Sequence, residues 1–451
     1  MTVAARTAAD TVSRVKVLVV GSGAREHALV LALSRDPAVT AIVCAPGNAG
    51  TRALAETHPL VATDPEAVAQ LAVDVAADLV VIGPEAPLVA GAADACRARG
   101  IATFGPSAAA AQIEGSKSFA KDVMVAAGVP TASAGSFTTE AATLSGLAAA
   151  KPPYVVKFDG LAAGKGVTVT SDLEAANAAV HDAFAGAFGS APVDTRILLE
   201  EFLDGPEVSL FAITDGTTVL PLTPAQDFKR IGDHDAGPNT GGMGSYSPLP
   251  WAPATLVDDL LRTVLEPTVR EMAGRGTPFN GVLFAGLALT AGGPRVIEFN
   301  ARFGDPETEV VLARLATPLG GLLLACANGT LAEHPPLEWH DDAAVCVVIA
   351  AHGYPGAPRT GDVITGLDEA NAVDGVDVLH AGTALDADGN VVSSGGRVLA
   401  VTARGVDLAA ARDAAYAAVD RIRLDGSVHR TDIALRAVNL DITIPTSEEN
   451  R

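Results

Sequence analysis

The stretch Val15–Ser22, VKVLVVGS, constrains the fold more than any other. Its apolar residues run together instead of alternating with polar ones, so both faces of the strand they form must be covered. The helical stretch AREHALVLAL comes next, then the strand AIVCA, the loop PGNAGT and an alanine-rich helix. The strand DLVVIGPEAPL, the helix GAADACRARG and the short strand IATFGP complete the series. This β-α-β rhythm predicts an open, doubly wound, mostly parallel sheet with helices on both faces, over residues 15–116.

From Lys117 the rhythm changes. A helix (FAKDVMVAAG), two strands around a glycine loop, a helix over Leu173–Phe188 and the strand RILLEEFL predict a small α+β unit over 117–205. Residues 206–334 hold the strands EVSLFAIT, GVLFAGLAL and RVIEFN, helices, and one long glycine-rich loop. After Pro335-Pro336, the strands AVCVVIAAHG and RVLAVTARG with the helix LAAARDAAYAAVDRI predict a last small α+β domain, 335–442. The expected fold class is thus α/β plus α+β, in several domains. Residues 1–14 and 443–451 are expected to be flexible tails. The first carry no apolar segment of the kind a signal peptide needs.

Composition narrows the function classes. A net charge of −22 argues against nucleic acid or an anionic membrane as the main partner, and no apolar stretch reaches transmembrane length. The four cysteines, Cys44, Cys96, Cys326 and Cys346, have no metal-type spacing, which suits buried thiols in a reducing cytoplasm. Only 7 of the 31 basic residues are lysines, and six of those lie between Lys117 and Lys229. Lysine is a compact, mobile point charge suited to a phosphate chain.

Gly21-Ser22-Gly23 opens like a dinucleotide fingerprint, but the third glycine is missing. The second strand ends in Cys44-Ala45-Pro46, with no acid for a ribose, so a nicotinamide or flavin oxidoreductase is set aside. The helix start still offers N–H groups to a sugar phosphate, with Arg25 nearby. The alternative is that Gly21 and Gly23 only make a tight turn.

VVKFDGLAAGKGVTV, Val155–Val169, sets Lys157 and Lys165 around Gly160, Gly164 and Gly166. A phosphate-binding P-loop needs four residues between its glycines, a Ser or Thr after its Lys, and a helix after the loop. None of these holds, and strand-like sequence on both sides predicts a glycine-rich hairpin instead.

RVIEFNARFGDPE carries the most chemistry. In a strand Glu298, Asn300 and Arg302 share one face. A carboxylate and an amide oxygen are hard ligands for a Mg²⁺ held largely by phosphates, and Arg302 can fork a carboxylate. A structural Glu298–Arg302 ion pair is the plainer alternative. ILLEEFLDGPEVSL, with Phe202 able to stack on a base and Glu207 near it, is by itself an ordinary edge strand. QDFKRIGDHDAGPNTGGMGSYSP, Gln226–Pro248, reads as a long glycine-rich loop, either ligand-binding or a mobile surface segment.

These residues together resemble the phosphoribosylamine–glycine ligase (glycinamide ribonucleotide synthetase) family of the ATP-grasp superfamily, over about residues 15–435. The motifs stand as GSGAREHAL, APGNAGT, GPEAPL, EGSK, FDGLAAGKG, EEFLDGPEVS, QDFKR, GPNTGGMG and EFNARFGDPE, with HAGT and GGRVL near the end. The resemblance implies a central ATP-grasp of two subdomains that clasp ATP, the 160–166 hairpin closing as a lid. Lys117 and Lys157 would reach the phosphates, with Gly164, Lys165 and Gly166 in the lid. Glu200 would accept from the adenine amino group, Phe202 and Leu203 would meet the ring, and Glu207 would hold the ribose. Glu298 and Asn300 would hold Mg²⁺ or Mn²⁺. Glycine would meet Arg302 through its carboxylate and Asp227 through its ammonium, with Lys229 alongside. Gly21, Gly23, Arg25, Asn48, Gly50 and Thr51 would take the sugar 5′-phosphate, and Asn239, Thr240 and Gly242 would complete the substrate site.

The reaction so implied joins glycine to 5-phosphoribosylamine through glycyl phosphate, in the cytoplasm, by a chain expected to be a monomer. The rivals are another ATP-grasp carboxylate–amine ligase of purine metabolism and a non-catalytic nucleotide sensor. Two departures stand out. Phe228 occupies the place of His in the commoner QDHKR, and FDG replaces ADG after Lys157. The strand GVLFAGLAL also lacks the second metal carboxylate of many ATP-grasp enzymes.

Overall fold

The computed structural model describes residues 14–162, 166–188 and 195–446. Val15–Gly21 is the central strand of a five-stranded parallel sheet. Val39–Pro46 and then Glu56–Thr57 lie to one side, Leu79–Ile82 and Ala102–Phe104 to the other. Alternate residues of the first strand enter two different cores, Leu18 and Val20 one, Val17 and Val19 the other. That is why the run is apolar from Val17 to Val20. The strand order reverses between Val15–Gly21 and Leu79–Ile82, so their C-terminal ends open a crevice at Gly21 and Gly83.

The second unit is a four-stranded antiparallel sheet, ordered Ala134–Phe137, Ile197–Glu200, Tyr154–Phe158, Val167–Thr170. The expected hairpin is there: Lys157 pairs with Val167, and Phe158 N–H donates to the Gly166 carbonyl at 2.8 Å. The calls on Gly164 and Lys165 fall outside the described residues. Phe158 packs against Phe188 at 4.9 Å between ring centres, on the helix-covered face.

A second antiparallel sheet orders Val219–Pro221, Glu207–Asp215, Asn280–Thr290 and Gly293–Asn300. The last sheet orders Gln226–Asp227, Gly244–Ser247, Ala343–Ala350, Arg397–Gly405 and Val376–His380. Strands from the middle of the chain therefore complete the C-terminal sheet. Residues 226–248 are not the structureless loop expected. Gln226 pairs with Tyr246 and Asp227 with Ser245, and Arg230–Gly232 pairs with Ala236–Asn239. The QDFKR and GPNTGGMG motifs are two sides of one ribbon, each supplying the other's backbone partners.

Ile444, within the segment read as a C-terminal tail, packs on the core. Residues 1–13 and 447–451 lie outside the described residues. No helix among the described residues is long and apolar enough to cross a membrane. All four cysteines are free and buried.

Candidate active site

The glycine turn after the first strand is closed from within. Glu26, one turn into the helix Ala24–Ser34, bends its carboxylate back to accept the Gly23 N–H at 2.6 Å and Arg25 Nε at 2.6 Å. Gly21 sits at φ +135°, and a Cβ there would stand 2.5 Å from Glu26 Cγ. The turn therefore stands closed in this structure, whereas a sugar phosphate was expected to meet its N–H groups. A carboxylate already caps the Gly23 amide, and Arg25 is buried, its guanidinium also donating to the Phe303 carbonyl at 3.2 Å.

The PGNAGT loop is braced in the same way. Asn48 Nδ2 donates to the Ser22 carbonyl at 2.9 Å and to the His380 carbonyl at 2.7 Å. Its Oδ1 accepts the N–H groups of Gly50 at 3.0 Å and Thr51 at 2.9 Å. The Thr51 hydroxyl closes the loop onto the Asn48 backbone. Asn48 and Thr51 thus shape the loop through protein contacts. Gly50 is glycine for a steric reason: a Cβ would lie 2.5 Å from His27 and 2.6 Å from His380. The His380 N–H donates to His27 Nδ1 at 2.8 Å, so His27 accepts there as a neutral ring. Burial, reinforced by His380, lowers His27 to about 3, and burial lowers His380 to about 4.

The lysines come from a helix and a strand of the 117–205 unit. Lys117 opens the helix Lys117–Ala127 and donates to the Gly160 carbonyl at 3.0 Å. Lys157 donates to the Ile297 carbonyl at 3.0 Å and pairs with Glu200 Oε2 at 2.8 Å. Glu200 Oε1 pairs with Lys121 at 3.1 Å. The Glu200 side chain is buried and both its oxygens are paired, so the expected bond to an adenine amino group would have to replace one of these pairs. Phe202 is exposed and, with Phe137, Pro152, Pro153 and Leu199, lines an open groove of about 620 Å³. Leu203 lies half-buried in the link between the two antiparallel sheets.

Glu298 and Asn300 stand at the end of the strand Gly293–Asn300, on one face as expected. Glu298 pairs with Gly286 and Val296 with Leu287, so Ile297 is an extra residue, a bulge. It is the carbonyl of this residue that Lys157 meets. Burial pushes the Glu298 carboxyl up, but Lys229, Lys157, Lys117 and Arg302 outweigh it and hold it below the usual range. Among the described residues no three His, Cys, Asp or Glu side chains form a metal-binding group. Glu298 and Asn300 offer two hard oxygen ligands, which fits a divalent cation whose other ligands are phosphate oxygens.

The strand stops at Asn300, so Arg302 leaves the shared face. It makes no ion pair with Glu298. Nor does it hold out an empty fork for a substrate carboxylate: Nε pairs with Glu85 at 3.2 Å, Nη2 with Glu114 at 3.0 Å, and Nη1 donates to the Phe303 carbonyl at 3.2 Å. Glu85 comes from GPEAPL and Glu114 from EGSK, so Arg302 joins the parallel-sheet domain to the strand that carries Glu298. Burial pushes both carboxyls up. For Glu85, Arg302 and Arg25 reverse the shift, while Glu114 stays raised.

On the ribbon, Lys229 pairs with Glu207, whose side chain is therefore engaged before any ribose arrives. Burial pulls Lys229 down, but Glu207, Asp227 and Glu298 hold it well above its ordinary value. Burial pushes Asp227 up, Lys229 opposing and Glu307, Glu207 and Glu298 adding, to about 7. Thr240 fixes the turn, its N–H and hydroxyl both meeting the Lys229 carbonyl, and its Oγ1 accepts the Gly242 N–H at 2.9 Å. Asn239 pairs with Arg230 across the ribbon.

Three consecutive stretches match the phosphoribosylglycinamide synthetase family: its N domain over residues 15–114, its ATP-grasp (A) domain over 115–308 and its C domain over 344–436. The chain belongs to the phosphoribosylglycinamide synthetase family. It is 63% identical over 424 residues to a phosphoribosylamine–glycine ligase of Streptomyces coelicolor, covering 94% of this chain and 99% of that one. A ligase of the same name from Leifsonia xyli is 57% identical, over 94% of this chain and all of the other. The crystal structure of the Thermotoga maritima phosphoribosylamine–glycine ligase superimposes with a TM-score of 0.80 at 32% identity, over 93% of this chain and 100% of that one.

Several residues of this synthetase-family site escaped the sequence reading. Glu85 and Glu114 lie inside quoted motifs but signal nothing until Arg302 meets them. Glu307, from GDPE, is buried and accepts from the Ser209 hydroxyl at 2.9 Å. Arg397, from GGRVL, reaches back to the Gly241 carbonyl at 2.7 Å and pairs with Asp305 at 3.0 Å. No local pattern announces contacts across so many residues.

Proposed function

We propose that the protein ligates glycine to 5-phosphoribosylamine with ATP, giving glycinamide ribonucleotide, ADP and phosphate, a step of purine synthesis. The observation that carries this reading is geometric: Lys157 reaches the Ile297 carbonyl, next to Glu298, and Lys117 reaches the Gly160 carbonyl, which sets two lysines near the Glu298 and Asn300 oxygens. That is an environment for a phosphate chain and its cation. A bound Mg²⁺ or Mn²⁺, held by Glu298 and Asn300, would offset phosphate charge and orient the γ-phosphate.

The glycine carboxylate attacks the γ-phosphorus, giving glycyl phosphate and ADP. The amine of phosphoribosylamine then attacks the acyl carbon and phosphate leaves. The protein supplies positioning and charge compensation and no nucleophile. Lys117 and Lys157 hold the phosphates. Asp227 receives the glycine ammonium, with the Lys229 charge beside it. Arg302 anchors the site through Glu85 and Glu114 and adds positive potential at Glu298. Phosphoribosylamine lies among the Gly21–Gly23 turn, the Asn48–Thr51 loop and Thr240–Gly242. The four free, buried thiols support a reducing cytoplasmic setting.

The test is ADP release with freshly made phosphoribosylamine, leaving out each substrate in turn and offering formate or bicarbonate in place of glycine. Oxygen-18 in the glycine carboxylate should pass one atom to the released phosphate per turnover. Unlabelled phosphate, or label in AMP, rules out glycyl phosphate.

A further inference from the structure

We propose that Lys121 is a positioning residue of the nucleotide site, which holds Glu200 so that Lys157 can leave it for a phosphate. The proposal rests on the reading of Lys157 as a phosphate ligand. It begins with a buried group of three charges, Lys121–Glu200–Lys157, in which one carboxylate is shared by two ammonium groups.

The two lysines use their donors differently. An ammonium has three N–H groups. Lys121 places all three on the protein: the Thr131 hydroxyl at 2.8 Å, the Ala132 carbonyl at 3.0 Å and Glu200 Oε1 at 3.1 Å. Lys157 has two acceptors among the described residues, the Ile297 carbonyl and Glu200 Oε2, which leaves one donor over. Lys121 is fixed. Lys157 is shared between the lid sheet and the bulge beside Glu298.

Lys121 also lies one helical turn after Lys117, on the same face of the helix Lys117–Ala127. Lys117 turns toward the hairpin at Gly160, while Lys121 turns to Glu200. When Lys157 moves to a phosphate, Glu200 must not be left as a lone buried carboxylate, because an unpaired buried charge is strongly destabilising. Lys121 prevents that. Without it, Glu200 has only Lys157 as counter-charge and holds it back from the nucleotide.

The measurement is the dissociation constant for MgATP by calorimetry, together with kcat and KM for ATP. Lys121→Met should weaken MgATP binding about tenfold, the scale of one charge-assisted hydrogen bond, while turnover at saturating ATP falls far less. Adding Glu200→Gln to Lys121→Met should recover at least half of the lost affinity on a logarithmic scale. Where Lys121→Met compromises folding, Lys121→Gln keeps donors for Thr131 and Ala132 but drops the charge, and the same pattern is expected. MgATP affinity within twofold of the parent for either variant overturns the proposal. So does a double variant that binds no better than the single one. A parent protein that does not bind MgATP would instead sink the reading of the whole nucleotide site.

Discussion

The side-chain amide of Asn48 donates to the carbonyl of His380 at 2.7 Å, tying a loop of the first domain to the edge strand of the last sheet. The same side chain orders Gly50 and Thr51, so a single residue sets the PGNAGT loop and its distance from the C-terminal domain. Asn48→Ala leaves several buried backbone groups without partners, each a loss of about 1–3 kcal/mol. We expect a lower melting temperature and a raised KM for phosphoribosylamine, with KM for ATP little changed. Equal shifts in both KM values would mean that the loop acts through general stability.

The His27–His380 pair makes that domain contact sensitive to acid. Both rings are neutral when folded, at about 3 and about 4, against about 6.5 for an exposed imidazole. From about pH 6.5 downward the unfolded chain binds more protons at these two sites, so their contribution to stability is lost as pH falls toward 3. A His27→Gln, His380→Gln variant should show a flatter melting temperature than the parent between pH 7 and pH 4. Parallel curves would rule out the pair as the source.

Glu298→Gln removes a charge that the surrounding cations hold below the usual carboxylate range, and it turns one of the two oxygen ligands proposed for the metal from a carboxylate into a neutral amide. Ligation at saturating Mg²⁺ should drop more than about tenfold, or ~1.4 kcal/mol of barrier, while the circular dichroism spectrum is kept. A smaller loss would remove Glu298 from the metal site.

Phe228 is a platform for Arg430. The guanidinium lies 4.8 Å from its ring centre and pairs with Asp432 and Asp235. Phe228→His should leave ligation intact, because backbone pairing sets the neighbouring Asp227 and Lys229. It should lower the melting temperature, since a weaker cation–π contact loses on the order of 1 kcal/mol. The deficit should widen at pH 5.5, where a protonated histidine repels Arg430. An unchanged melting temperature at both pH values would show that the contact contributes nothing.

Sequence by itself determined whatever a local period or a short motif can carry. The unbroken apolar run at Val15 dictated a strand buried on both faces, because a strand exposes a new side chain to each face in turn. A hairpin had to form around Gly160–Gly166, because strand-like sequence flanks the glycines on both sides; that Lys157 pairs with Val167 came from the structure. Glu298 and Asn300 had to share a strand face. Only the tertiary structure decided which groups are already paired. Arg302 fell to Glu85 and Glu114, Glu200 to two lysines, and the Gly23 amide to Glu26. The apparent loop at 226–248 became a ribbon once its two motifs found each other. The reason is physical. Hydrogen-bond and charge partners are set by distances through space, and residues as far apart as Glu85 and Arg302 leave no trace of their meeting in either local sequence.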